Sequence, residues 1–227
     1  MMLLLTLGGA AAIGTSLGCC VPRIARSVTE NALRAEGFTC EAATLYRDKS
    51  AVIPMAVAVL FAASFARFGW TAKAIFIAVL LFELVLLSLI DFSTLLLPDS
   101  VTIPLAISGL GVNAFAVVVP FRDAILGASL AVLFFWTIHW AIYKFSGREG
   151  MGFGDVKLSL ALGAWLGYSP LLHVMCVALL LAALYGVVLI SMRRVRDDRM
   201  IPFGPFLSAG AAVTALFGTP LYGLALA

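Results

Sequence analysis

The sequence predicts an all-α, polytopic integral membrane protein with about eight transmembrane helices. Three observations predict it. Of the 227 residues, 63% are hydrophobic and only 12% charged, with a mean hydropathy of +1.08, whereas a soluble domain carries about 25% charged residues. The apolar residues gather into eight runs, at about 3–21, 51–66, 74–90, 101–119, 124–143, 155–168, 171–191 and 203–225, and a helix needs roughly 20 apolar residues to cross a bilayer. The basic residues sort between alternate connections. Arg23, Arg26, Arg34, Arg47, Lys49, Lys144, Arg148, Lys157, Arg193, Arg194, Arg196 and Arg199 fall on one side, and Arg67, Lys73 and Arg122 on the other, which accounts for all 15. The positive-inside rule places the larger set in the cytoplasm and both chain ends outside. A net charge of +3 is too small to argue for a nucleic-acid partner.

Taken in order, Leu3 to Val21 resembles a signal peptide in hydropathy but has no charged stretch before its apolar run, so residues 1–21 are expected to remain as the first transmembrane helix. Residues 22–50 form a short, polar cytoplasmic loop, too small for a core of its own. Residues 51–227 form a multi-helix membrane domain. Within it the Gly-rich segment from Asp155 is expected to be tilted or half-buried among its neighbours. The Pro and Gly run from Ile201 to Gly210 interrupts the entry to the last span. Packing beside the functional loops and simple helix-entry geometry both explain that run. Cys19, Cys20, Cys40 and Cys176 have no C-x-x-C spacing and are expected as buried free thiols, with no metal site. His139 and His173 are expected as ordinary polar contacts near membrane boundaries.

Carboxylates are the informative polar residues. Asp91 ends the third run, Asp99 precedes the fourth and Asp155 opens the sixth, so the topology puts all three at the cytoplasmic face. An ionisable side chain at the edge of a membrane helix is a functional candidate, because its charge is expensive there. Asp155 follows Gly150-Met151-Gly152-Phe153-Gly154, where residues without Cβ let another backbone approach. Two carboxyls sharing one proton can activate water and protonate a carbonyl oxygen, and their titration belongs to the pair. Pro98-Asp99-Ser100 ahead of a helix is good N-capping chemistry, which gives Asp99 a structural role. Lys157, two positions past Asp155, points to nearly the opposite side of a helix; it is a lipid or loop contact, or part of the site's surroundings. Glu83 lies two turns deeper than Asp91, either protonated and hydrogen-bonded or lining a polar cavity.

Gly152-Phe153-Gly154-Asp155 matches the G-x-G-D signature of membrane aspartyl proteases. The longer run through Val156-Lys157-Leu158 and Ala161-Leu162-Gly163-Ala164-Trp165-Leu166-Gly167 resembles the type IV prepilin peptidases of bacteria. Ile90-Asp91-Phe92 through Leu97-Pro98-Asp99-Ser100-Val101-Thr102-Ile103-Pro104, and Ile201-Pro202-Phe203-Gly204-Pro205-Phe206-Leu207, resemble the same family. The resemblance implies that residues 51–227 are an aspartyl protease domain with Asp91 and Asp155 as the catalytic pair. It also implies Gly152, Gly154, Asp99, Lys157 and Glu83 as active-site support. The implied reaction is removal of the leader peptide from type IV prepilin or pseudopilin precursors, after a glycine that precedes a hydrophobic helix, at the cytoplasmic face of the bacterial inner membrane. The implied partners are the precursor helix and membrane lipid; the process served is pilus assembly, type II secretion or DNA uptake.

Family members usually carry two C-x-x-C pairs that bind zinc in the first cytoplasmic loop, and methylate the new N-terminus with S-adenosylmethionine. Here segment 22–50 holds only Cys40, and Gly14-Thr15-Ser16-Leu17-Gly18 has Gly18 where the family's Gly-Ser-Phe-Leu-Asn motif ends in asparagine. The peptidase is therefore expected to need no cofactor and no zinc, with S-adenosylmethionine required only if methyltransferase activity is retained. Two alternatives remain at this level. One is a G-x-G-D protease that cuts within transmembrane helices, like presenilin or signal peptide peptidase; the other is a transporter or channel in which Asp91, Asp155 and Glu83 relay protons or ions.

Overall fold

Among the described residues each of the eight apolar runs contains a helix, and a ninth, amphipathic helix lies between the first two. The computed structural model describes residues 2–35, 51–146, 152–192 and 202–218. Their helices are α1 (Met2–Gly18), α2 (Val21–Ala35), α3 (Val52–Phe68), α4 (Ala72–Thr94), α5 (Asp99–Ala114), α6 (Phe121–Ser146), α7 (Phe153–Leu166), α8 (Tyr168–Ser191) and α9 (Gly204–Phe217). No strand occurs among the described residues. Among the described residues four stretches, Leu7–Arg34, Ala72–Thr94, Phe121–Phe145 and Tyr168–Ser191, are long and apolar enough to cross a membrane, and Val52–Phe68 and Gly204–Phe217 are shorter apolar helices. The protein is thus an all-α, multi-pass membrane protein. Cys40, Glu149 to Met151, and Arg193 to Arg199 lie outside the described residues.

Alternation of direction sorts the helix ends. Arg67 at the end of α3 donates from Nε to the Leu216 carbonyl of α9 at 3.2 Å, and Lys73 at the start of α4 donates to the Val118 carbonyl beyond α5 at 3.1 Å. Gly167, between α7 and α8, lies against Asp123 in the first turn of α6. Arg67, Lys73 and Arg122, the sparse basic set, therefore share one end of the bundle. Asp91, Asp99, Asp155 and Gly204, at the end of α4 and the starts of α5, α7 and α9, meet at the other.

The segment read as a polar loop from residue 22 is helical as far as Ala35. Val21, Ala25 and Thr29 recur every fourth position and are buried, while Arg23, Arg26 and Arg34 face outward. That spacing is a helical stripe inside a polar stretch. Cys19 and Cys20 are also not buried as expected; they sit exposed at the turn between α1 and α2. In a membrane protein an outward-facing apolar residue meets lipid, so hydrophobicity does not predict burial within the chain.

Helix α7 is the centre of the packing. Ten of its 14 residues are buried, which explains a sequence apolar on every side. Its Leu158, Leu162 and Trp165 belong to one hydrophobic core with Leu80, Leu84, Leu87 and Ile90 of α4 and Leu207 of α9. The expected half-buried segment is in fact enclosed. Against α6 the approach is backbone on backbone: a Cβ on Gly127 would lie 2.5 Å from the Gly163 carbonyl oxygen. Gly109 of α5 leaves room for the Trp165 ring, whose Nε1 donates to the Leu105 carbonyl at 2.8 Å.

The C-terminal end of α7 is held by Asn113. Its Nδ2 donates to the carbonyls of Ala164 at 2.8 Å and Trp165 at 3.1 Å, acceptors that a helix end leaves without partners. Its Oδ1 accepts from the amides of Val118 and Val119 at 3.1 and 3.0 Å. Asn113 is fully buried, so Asn113→Ala strands polar groups on both sides. The variant is expected to lose about 3 kcal/mol of stability, read as a lowered melting temperature in detergent.

Candidate active site

The two expected aspartates arrive at the site by different local routes. Asp91 lies in the last turn of α4, a helix set by Thr71, whose hydroxyl caps the Ala74 amide at 3.3 Å. The helix closes at Leu95, where the chain turns left-handed (φ 56°) and the Leu95 amide donates to the Asp91 carbonyl at 2.8 Å. Asp155 lies in the first turn of α7, after Gly152 in extended conformation. That position suits a carboxylate, because helix N-termini favour negative charge. Both side chains are buried, Asp91 being 5% and Asp155 8% exposed. They are close enough for the charge of Asp91 to act on the Asp155 carboxyl.

Two other contacts fix the geometry. The Gly204 amide at the start of α9 donates to Asp91 Oδ2 at 3.0 Å. A Cβ on Gly154 would lie 2.8 Å from the Leu97 Cβ in the α4–α5 connection, so the start of α7 reaches its place because residue 154 has no side chain. Gly152 differs: a Cβ there would meet nothing closer than the Gly154 nitrogen at 4.0 Å. Among the described residues, space beside it is open.

Of the expected supporting residues, Lys157 and Asp99 find each other. Lys157 Nζ lies 2.5 Å from Asp99 Oδ1 and 5.2 Å above the Phe153 ring. Asp99 is not the N-cap expected from its sequence; Pro98 occupies that position, and α5 has no side-chain cap. Its structural role is the ion pair instead, which ties the start of α5 to α7. With the Asp99 side chain 56% exposed, the pair contributes little. Asp99→Asn is expected to lower stability by no more than about 1 kcal/mol, measured as a small shift in thermal melting. Glu83 is half-buried on α4, with no hydrogen-bond partner among the described residues.

His139 meets the Phe153 ring edge-on, with centroids 6.1 Å apart. His173 is buried, its Nδ1 2.7 Å from Thr214 Oγ1 between α8 and α9. Among the described residues no group of three or more His, Cys, Asp or Glu could hold a metal ion. Sequence reasoning did not find the contact of Gly204 with Asp91. Its signal was there in the Pro202-Phe203-Gly204-Pro205 run, noted as interrupted helix without a contact to assign. Nor did it find Ser208, buried one turn further along α9, whose hydroxyl lacks a hydrogen-bond partner among the described residues.

Comparison with known proteins adds the family. The profile of the type IV leader peptidase family matches residues 78–187, a stretch that contains Asp91, Asp99 and Asp155. The Prepilin leader peptidase/N-methyltransferase of Burkholderia pseudomallei is 39% identical over 215 residues, which is 89% of this chain and 70% of the relative. This chain belongs to the type IV leader peptidase family. Relatives of the same printed name in this family include one from Aeromonas salmonicida, 41% identical over 66% of this chain and 51% of its own length, and one from Pseudomonas putida, 41% identical over 69% and 54%. The chain thus spans little more than half the length of these two type IV leader peptidases. No solved structure matches it. Membership makes the protein an aspartic-type peptidase.

Proposed function

We propose that this protein removes the leader peptide from type IV prepilin or pseudopilin precursors at the cytoplasmic face of the bacterial inner membrane, with Asp91 and Asp155 as its catalytic pair. The observation that carries this reading is that two buried carboxyls, from the end of α4 and the start of α7, lie at one end of the bundle, near enough for the charge of one to act on the other. With one proton between them, the ionised carboxyl takes a proton from water as the water oxygen attacks the scissile carbonyl. The protonated one donates to the carbonyl oxygen. Collapse of the resulting diol breaks the C–N bond, and the departing amine takes a proton as it leaves, so one water is consumed per bond cut.

The precursor's hydrophobic helix would lie along the apolar outer surface. Its cleavage segment would extend toward the start of α7, where a Cβ on Gly152 would meet no described atom closer than 4.0 Å. The cytoplasmic orientation rests on the basic asymmetry, the end bearing Asp91 and Asp155 being opposite to Arg67, Lys73 and Arg122.

The relatives' printed names carry a second activity, N-methyl transfer, for which S-adenosylmethionine would be the donor. The residues of the α1 stretch Gly14 to Gly18 do not fit it. A Cβ on Gly14 would lie 2.8 Å from Ala58 Cα, and one on Gly18 2.6 Å from Pro54 Cα. That face of α1 is filled by α3, so among the described residues Gly14 and Gly18 face a neighbouring helix rather than a cofactor, and no methylation step is derived. Both activities are read in one experiment. Membranes containing the protein are incubated with a prepilin precursor and S-adenosylmethionine, and the product's N-terminus is sequenced and weighed. The expected product is cut after the glycine preceding the hydrophobic helix and carries no added methyl group. An uncut precursor would refute the peptidase reading, and a product heavier by one methylene would refute the absence of methylation.

A further inference from the structure

The first amides of a helix have no acceptor within it, and at α9 most of them are accounted for. The amides of Phe206 and Leu207 both donate to the Phe203 carbonyl at 3.1 Å. Pro202 and Pro205 have no N–H to give. The Gly204 amide is thereby left to point out of the helix, and it meets Asp91 Oδ2 at 3.0 Å. Its lack of a side chain is required at the same contact: a Cβ on Gly204 would lie 2.7 Å from Oδ2 and 3.2 Å from Cγ of Asp91. These are the reacting carboxylate's own atoms, on a side chain that is itself buried.

We propose that Gly204 is a positioning residue for catalysis, its amide fixing Asp91 so that Oδ1 alone exchanges protons with water and substrate. An oxygen that accepts an N–H presents a lone pair to it and cannot carry the proton in that direction. Among the described residues Oδ1 has no donor. The proton that Asp91 takes from the attacking water, or gives to the carbonyl oxygen, is therefore assigned to Oδ1, the oxygen that Gly204 leaves free. The proline on each side of the Phe203-Gly204 pair keeps competing amides away. This inference rests on Asp91 being half of the catalytic pair.

The test replaces one atom. Glycolic acid is incorporated at position 204 by suppressor tRNA, putting an ester oxygen where the amide N–H was and adding no side chain. The same replacement at Gly210, inside α9, serves as a matched control. Both proteins, the parent, Gly204→Ala and Asp91→Asn are assayed in proteoliposomes on a prepilin precursor, with kcat expressed per folded molecule and melting temperatures recorded. The ester at 204 is expected to lower kcat on the order of ten- to a hundredfold, as for a hydrogen bond to a charged group, with KM unchanged. Gly204→Ala falls likewise, and the ester at 210 keeps the parent's kcat. Parental kcat for the ester at 204 while Asp91→Asn is inactive would overturn the proposal and leave the catalytic pair standing, as would an equal loss at 204 and 210. Full activity of Asp91→Asn would instead remove the catalytic reading on which the proposal stands.

Discussion

Asp91→Asn and Asp155→Asn each abolish leader cleavage, with rates down about 10³-fold, in the range that positioned acid–base groups contribute. Asparagine keeps the shape, and at position 91 its carbonyl oxygen still accepts the Gly204 amide. What it cannot do is exchange a proton. The double variant is no slower than either single one, because two groups that share one proton act as a unit. Stability does not fall, since an amide is cheaper to bury than an ionised carboxyl. Asp99→Asn cuts at the parent's rate, because its carboxylate is engaged with Lys157 at the rim. A time course of the precursor's mobility shift on a gel, in membranes, reads all of these. Loss of cleavage with Asp99→Asn but not with Asp91→Asn would assign the second catalytic carboxyl to α5.

Gly163→Val is expected to be the most damaging single change to the fold. The added Cβ would run into the carbonyl group of Gly127 and the amide of Ala128. These are backbone atoms of a long helix, unable to swing aside. Helices α6 and α7 would have to separate where α7 is wholly enclosed, at an expected cost of about 4 kcal/mol. Gly111→Ala provides the contrast. A Cβ there meets nothing within 4 Å, and alanine in a helix interior gains up to about 1 kcal/mol over glycine. Size-exclusion profiles in detergent should show aggregated Gly163→Val and a monodisperse Gly111→Ala. A folded Gly163→Val melting with the parent would mean that α6 and α7 do not cross at these glycines.

The sequence was legible where one physical effect dominates. Hydropathy marked all eight apolar helices, because in lipid nothing competes with the need to satisfy backbone groups within the helix. The aspartates stood out because charge is rare in such segments, and alternation of helix direction was enough to bring residues 91 and 155 to one end. The amphipathic α2 was missed by reading residues 22–50 as composition; the four-residue spacing of Val21, Ala25 and Thr29 carried it. Asp99 was misplaced by a single position, from N-cap to first helical residue, because the cap rules say nothing of Lys157 arriving from α7. The reach of Gly204 to Asp91 spans 113 positions, and local pattern has no purchase on such a pairing.

That same span has a consequence for biosynthesis. The ribosome makes α4 early and α7 midway, but the amide that completes the site belongs to α9, more than a hundred residues downstream of Asp91. A nascent chain that has inserted its helices as far as α7 holds both carboxyls without the contact that orders one of them. On the proposed role of Gly204, full proteolytic rate is expected only once α9 has packed against α4.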